Sequence, residues 1–577
     1  MKRALDFLRG GLLGSLFGSL IFAALIIAGV SRGGSIWVFA TATLGGVMVG
    51  LIPKGSREPS LFGASSAGVA GIVLGLITGF GWLEVSLVVG AMGGVLWIVA
   101  GERIPRTRWH WFAYGGVVIG ILLLILLPLI LQGGALGHDE SAYGLKAKQW
   151  LLGTPGTGWA PHRGVGMSVY GYVVLGLGGA EPGLRLLGLI GAIGLVVGIW
   201  ALVQRMSDAT AAAMASVAVI AGPALLRRST EYLSDVPAAA LLVWCMVVVW
   251  GQLGSRQRPT YKLLWVLPPA LAAFYMRYQS ILSFGLIALT VLVLWWPQIR
   301  QRPGPILALS GLGIIGLIPH FALAMELRGS PWGILTYTSE VSGRAYLGEG
   351  LVDYVHMAPW QLAGLIGVPA IGFALIGLAY SWKDTFRRDR FLFLLLPAVA
   401  QILALGILSH GEPRFVFFPM ALIVAAAAMA IRENFWPHRS AIRLGWALMV
   451  LIVGSLALSA ASVRNLVEHR AASNESIELA GLDVSDQAAD ESCGVMTSYT
   501  PQITYYSECS SDVFRSDEEP EVAVGNLVGE MKFMVLVEDG KRQPTGDDLA
   551  GLLSLTEPDP VVIDVEVTDS VVYRFMD

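Results

Sequence analysis

About fifteen stretches of the chain are apolar over lengths that match a lipid bilayer, and short polar linkers separate most of them. They lie near 10–30, 35–52, 62–81, 83–100, 112–132, 184–204, 209–226, 236–252, 263–276, 280–297, 305–325, 361–380, 391–409, 415–431 and 444–462. A helix rises about 1.5 Å per residue, so roughly 20 apolar residues cross a hydrocarbon core of about 30 Å. The pattern predicts a polytopic α-helical membrane protein. Its weakest members are 263–276, which is short, and 209–226. Met1-Lys2-Arg3 leads into the first stretch without a small-residue cleavage site, so that stretch reads as an uncleaved helix.

Two longer polar intervals, 133–183 and 326–360, interrupt the series, and from about 464 the pattern changes altogether. There Gly494–Tyr499, Lys532–Val537, Val561–Val567 and Val571–Phe575 read as strands, and Thr500–Tyr506 as a helix. About 110 residues suffice for a small α/β domain. Three units are therefore expected: extra N-terminal transmembrane helices over 1–103, a transmembrane core over 104–463, and a soluble domain over 464–577.

Composition agrees. Hydrophobic residues make up 55% of the 577 and charged residues only 14%, against about 25% in a soluble domain. The 70 glycines suit close helix contacts inside a membrane. A net charge of -3 with no basic tail argues against a nucleic-acid partner. Cys245 lies in an apolar run. Cys493 and Cys509 lie in the tail, where pairing requires an oxidising compartment, and their spacing resembles no metal site.

Charge also orients the chain. With a cytoplasmic N-terminus, alternate threading puts Lys54, Arg57, Arg103, Arg106, Arg108, Arg205, Arg256, Arg258, Lys262, Arg300, Arg302, Lys383, Arg387, Arg388, Arg390, Arg432, Arg439 and Arg443 on one side. Basic linkers stay in the cytoplasm. Both long loops and the tail then lie outside, in a multi-pass plasma membrane protein.

On the outer side acids, bases and aromatics gather at helix ends, where charge is costly and informative. His138-Asp139-Glu140 follows the 112–132 stretch, and His162 and Arg163 lie in the same loop. Arg227, Arg228, Glu231 and Asp235 crowd the next outer turn, Arg277 marks another, and His410-Gly411-Glu412-Pro413-Arg414 occupies a third. Each group also has an ordinary reading. Asp139 and Glu140 suit a helix N-terminus, and Ser234-Asp235 before Pro237 suits an N-cap. Arg227 and Arg228 suit headgroup anchoring, and His410 and Arg414 suit local pairing with Glu412. Convergence on one face favours a site. Arginines and a histidine at headgroup depth can hold a lipid-linked phosphate, and a carboxylate can deprotonate an attacking hydroxyl.

The acidic pair opening a long outer loop, Gly137-His138-Asp139-Glu140-Ser141-Ala142-Tyr143, resembles the GT-C glycosyltransferases, most closely the protein O-mannosyltransferase and lipid A aminoarabinose transferase branch. The resemblance spans roughly 112–462. It implies a GT-C fold with a soluble outer domain, Asp139 as base, and Glu140 as its assistant. The segment His410–Phe415 is similar to the family's histidine-to-arginine outer loop, which implies a donor-phosphate role for His410 and Arg414, with Arg277 added. Further substrate contacts are expected from His162, Arg163, Arg228, Glu231, Asp235 and Tyr346. The expected activity is inverting transfer of a sugar from a polyprenyl-phosphate donor to a lipid, glycan or protein hydroxyl outside. Transport of a lipid-linked oligosaccharide, and its ligation or polymerisation, are the alternatives. No cofactor is required; a divalent cation held by Asp139, Glu140 and His162 stays open, as does the metal question generally.

Overall fold

The computed structural model describes residues 119–577 apart from 121, 124, 157–159, 255, 342–345, 436–440, 490, 517, 539, 541, 566–567 and 577. The four stretches expected before residue 104, the start of the 112–132 stretch, the basic residues up to Arg108 and Arg439 lie outside the described residues. After helical residues 125–131, the helices in chain order are α1 (His138–Leu152), α2 (Val165–Gly176), α3 (Glu181–Met206), α4 (Ala209–Val219), α5 (Pro223–Ser229), α6 (Asp235–Leu253) and α7 (Leu267–Met276). There follow α8 (Ser280–Gln301), α9 (Gly304–Arg328), α10 (Gly333–Val341), α11 (Glu349–His356), α12 (Ala358–Ala363), α13 (Gly367–Ser381), α14 (Thr385–Leu408) and α15 (Phe417–Ala430). Then come α16 (Ala441–Ala488), α17 (Thr500–Ser507), α18 (Pro520–Gly525) and α19 (Gly546–Leu553).

Among the described residues seven helices are long and apolar enough to cross a membrane, and the pair α4–α5 makes an eighth if its 74° bend is one broken span. The bend has a sequence cause. Asp208 caps α4 by accepting from the Ala211 N–H, and the chain then meets Gly222-Pro223. A Cβ on Gly222 would stand 1.9 Å from the Leu362 carbonyl oxygen, so only glycine fits there. Proline cannot carry the helical ladder onward. The carbonyl of Ala221, freed by the break, accepts from the Ser455 and Ser459 hydroxyls of α16 at 2.9 and 2.8 Å. In a membrane such a carbonyl needs a protein partner.

Two expectations change. The 263–276 stretch is a 3-10 turn over Tyr261–Val266 and then the ten-residue α7, with Pro268 and Pro269 at its start; it is too short to be counted among the candidate spans. The 133–183 interval is not uniformly polar, since it contains the short apolar helix α2. Helix α16 runs unbroken through residue 464 to Ala488, a length of roughly 70 Å.

Away from α1, at the end where α6 and α15 finish, ion pairs tie the helices together. Arg432 meets Asp208 at 2.7 Å, Arg390 meets Glu433 at 2.9 Å, and Arg256 meets Asp389 at 2.6 Å. The tail forms a five-stranded sheet in the order β2-β1-β3-β5-β4. The strands are β1 (Cys493–Met496), β2 (Ser510–Asp512), β3 (Met531–Val537), β4 (Val561–Ile563) and β5 (Ser570–Arg574). β1 runs parallel to β2 and β3, whereas β5 is antiparallel to β3 and β4. Val495, Phe533, Val535 and Val572 bury one face of this sheet with Ile477, Ala480 and Val484 of α16. The long helix is thus shared by bundle and sheet. Cys493 and Cys509 form a disulfide with their Cα atoms 5.0 Å apart.

Candidate active site

Asp139 stands in the first turn of α1, after N-cap Gly137. Its carboxylate is 35% exposed and accepts from Arg163 Nη1 through Oδ1 and from Arg414 Nη1 through Oδ2, both at 3.0 Å. Burial raises the energy of its charged form, but Arg163 and Arg414 outweigh that and hold the carboxyl well below the usual range. The pairing with Arg163 and Arg414 therefore favours the ionised form of Asp139.

Arg414 lies on the 3-10 turn Pro413–Val416 that opens the α15 span. Besides Asp139 it contacts Glu412. His410 Nε2 also meets Glu412, at 3.3 Å, so the local pairing foreseen for this loop occurs and Arg414 extends beyond it. Arg277, the C-cap of α7, pairs with Asp235 and donates to Gln279. Asp235 was expected to cap α6; instead its carboxylate is committed to Arg277, and Ser234 makes no side-chain cap bond. The guanidinium groups of Arg277 and Arg414 lie 5.0 and 5.8 Å from the centre of the Phe415 ring, which gathers the two cations. They line a small open recess with Asp235, Ser280, Ser283, Gln401 and Phe418. Its polar floor is a 2.8 Å hydrogen bond from the Ser283 hydroxyl to Gln401.

Glu140 points elsewhere, although it adjoins Asp139 in sequence. Its side chain is 2% exposed and accepts from Arg185 Nε at 3.0 Å, Arg470 Nη2 at 2.8 Å, the Tyr232 N–H at 2.8 Å and the Gly137 N–H at 2.9 Å. Burial opposes its charge, yet Arg185 and Arg470 prevail and lower the carboxyl to about 2. The helix-start reading holds for Glu140, and the expected assistance to Asp139 has no geometric support. Arg470 also contacts Glu231, which takes Arg227 at 3.1 Å and Arg228 at 2.5 Å. Glu231 and Arg228 thus belong to this buried network.

His162 lies beside Arg163, its ring 5.8 Å from that of Tyr337 on α10, and its Nδ1 is buried without a hydrogen-bond partner. Tyr346 is 58% exposed, just before α11. Asp139, Glu140 and His162 do not converge on a common point, because Glu140 faces Arg185 and Arg470. Among the described residues no three His, Cys, Asp or Glu side chains gather to hold a metal ion. Sequence reading missed Arg185 and Arg470. Arg185 opens an otherwise apolar span, a rare position for a charge, and that was the available signal.

No family model matches this chain, and no curated protein does. Solved structures do. ArnT from Cupriavidus metallidurans bound to undecaprenyl phosphate superposes with a TM-score of 0.57 at 13% identity, covering 81% of this chain and 98% of that one. The apo state of the same protein gives 0.55 at 12%, covering 80% and 98%. An Archaeoglobus fulgidus oligosaccharyltransferase tethered to an acceptor peptide gives 0.47 at 14%, covering 74% and 70%. The chain has the GT-C fold with a small C-terminal sheet domain.

Proposed function

On that fold, we propose that the chain is an inverting glycosyltransferase that moves a sugar from a polyprenyl-phosphate donor to an acceptor hydroxyl on the face carrying the C-terminal domain. One observation carries the reading: an ionised, part-exposed Asp139 shares Arg414 with a recess that also holds Arg277. ArnT, which has this fold, was crystallised with undecaprenyl phosphate.

Arg277 and Arg414 hold the donor phosphate by charge-assisted hydrogen bonds, with His410 beside them. The acceptor oxygen attacks the anomeric carbon as the bond from that carbon to the phosphate oxygen breaks. The proton of the acceptor passes to Asp139, and the polyprenyl phosphate leaves with the bonding electrons. Charge that grows on the leaving oxygen is met by the arginines already in place. A strongly depressed carboxyl is a weak base. Phosphate binding corrects this, because it adds negative charge beside Asp139 and competes for Arg414, and both effects raise the proton affinity of Asp139 when it is needed.

The proposed orientation keeps the N-terminus in the cytoplasm and the C-terminal domain outside. The charge pattern supports it, and the Cys493–Cys509 disulfide suits an oxidising compartment. For transfer itself, Asp139→Asn in purified protein should lower turnover by roughly a thousandfold. Expression and thermal stability should stay near those of the parent. Retained turnover would remove Asp139 from the chemistry.

A further inference from the structure

Helix α17 belongs to the C-terminal domain, yet it is wedged between α1 and α16. Two glycines make room. A Cβ on Gly144 of α1 would stand 2.9 Å from the Tyr505 ring, and one on Gly481 of α16 would stand 2.8 Å from Tyr506 Cβ. Leu136 is fully buried, directly before N-cap Gly137 and three residues ahead of Asp139. Helix α17 engages both of its backbone polar groups. The Leu136 N–H donates to the Tyr506 hydroxyl oxygen at 2.7 Å, and its carbonyl accepts from Gln502 Nε2 at 3.2 Å, with Ser141 Oγ at 3.4 Å.

Further along α1, Lys148 Nζ donates to the Tyr505 carbonyl at 2.7 Å and meets Glu508 at 3.2 Å. It also sits 4.4 Å from the centre of the Tyr505 ring. The disulfide brackets α17, since Cys493 opens β1 and Cys509 follows the αL residue Glu508 at the helix end. The chain between the cysteines therefore forms a closed loop whose one helix grips α1.

We infer that Tyr506 and Gln502 are positioning residues: the C-terminal domain sets the first turn of α1, and the Cys493–Cys509 bridge keeps the grip in place. The inference rests on the role proposed for Asp139. A buried N–H that loses its partner forces the backbone to find another, and Leu136 can do so only by shifting the start of α1. Asp139 then moves relative to Arg414 while the recess stays intact. An error of about 1 Å at a reacting group costs on the order of a hundredfold in rate. The signature is a fall in kcat without a matching change in donor KM, because α17 does not touch the recess.

The test uses the full-length protein in lipid nanodiscs, with hydrogen exchange at residues 134–145 and steady-state transfer measured on the same samples. Tyr506→Phe should accelerate exchange in that segment and lower kcat about tenfold, with donor KM within about twofold. Dithiothreitol acting on folded wild-type protein should do the same, and Cys493→Ser/Cys509→Ser should show the lowered kcat with no further response to reductant. Unchanged exchange in both Tyr506→Phe and reduced wild type would overturn the inference, whatever the activity. Faster exchange with unchanged kcat would overturn the positioning role if Asp139→Asn is inactive. If Asp139→Asn is active, the functional reading fails, and exchange alone decides whether α17 holds α1.

Discussion

Glu140→Gln separates the two acids of the Asp139-Glu140 pair. The substitution keeps the shape but removes the charge that faces Arg185 and Arg470. The Glu140 carboxyl is lowered from its ordinary 4.5 to about 2 in the folded protein. A shift of that size corresponds to about 3 kcal/mol, in line with the roughly 3–5 kcal/mol lost when one partner of a buried ion pair is removed. Because the folded value is the depressed one, this stability is fully present above 4.5 and fades as pH falls toward 2. Thermal unfolding followed by tryptophan fluorescence should give a Tm lower by on the order of 5 °C at pH 7. The gap to wild type should narrow on acidification from pH 5 to pH 3. Transfer by the variant that remains folded should stay within roughly tenfold of wild type, since Arg185 keeps the Gly134 and Ala135 carbonyls and Arg470 keeps Glu231. An unchanged Tm with transfer abolished would refute the reasoning and return Glu140 to the chemistry.

Arg414→Lys should raise donor KM roughly tenfold or more, because an ammonium cannot bridge phosphate and Asp139 as a guanidinium does; kinetics over a donor series would show it. The depressed Asp139 carboxyl should leave no acid limb in kcat/KM between pH 5 and 8, and a limb at ordinary carboxylate pH that vanishes in Asp139→Asn would contradict the ion pairing. Arg390→Ala breaks the pair with Glu433 far from the recess and should cost about 3 kcal/mol of stability while leaving donor KM unchanged. Removing both hydroxyls with Ser455→Ala/Ser459→Ala should cost about 1–3 kcal/mol, read as a lower Tm, by leaving the Ala221 carbonyl at the α4–α5 break unpartnered.

Among the described residues, most of the apolar spans and the tail's α/β character were legible because each rests on local periodicity. The 391–409 run is α14, and Thr500–Tyr506 is α17 almost to the residue. What escaped has no local signature. Helix α2 is apolar but too short to register as a span, and β2 is three polar residues held in place by β1. The continuation of α16 to Ala488 mixes polar residues with Ile477, Ala480 and Val484, which the sheet buries, too sparsely to read as a membrane span. At the site, the convergence of Asp139, Asp235, Arg277 and Arg414 followed from topology, since all sit at helix ends on one side. The division of labour between Asp139 and Glu140 did not follow. It depends on Arg185, 45 residues away in sequence, and on Arg470, 330 residues away, and no spacing rule connects them. Adjacent residues on a helix face different directions, so neighbours in sequence can belong to different networks.

Polyprenyl phosphate binding tests the central claim most directly. Electron cryomicroscopy of the full-length protein in nanodiscs with added undecaprenyl phosphate should show phosphate density within hydrogen-bonding distance of Arg277 and Arg414. Asp139 should face the side from which an acceptor arrives. Phosphate density in another cleft, or a recess filled by its own side chains while the lipid is bound elsewhere, would contradict a donor site built on these two arginines.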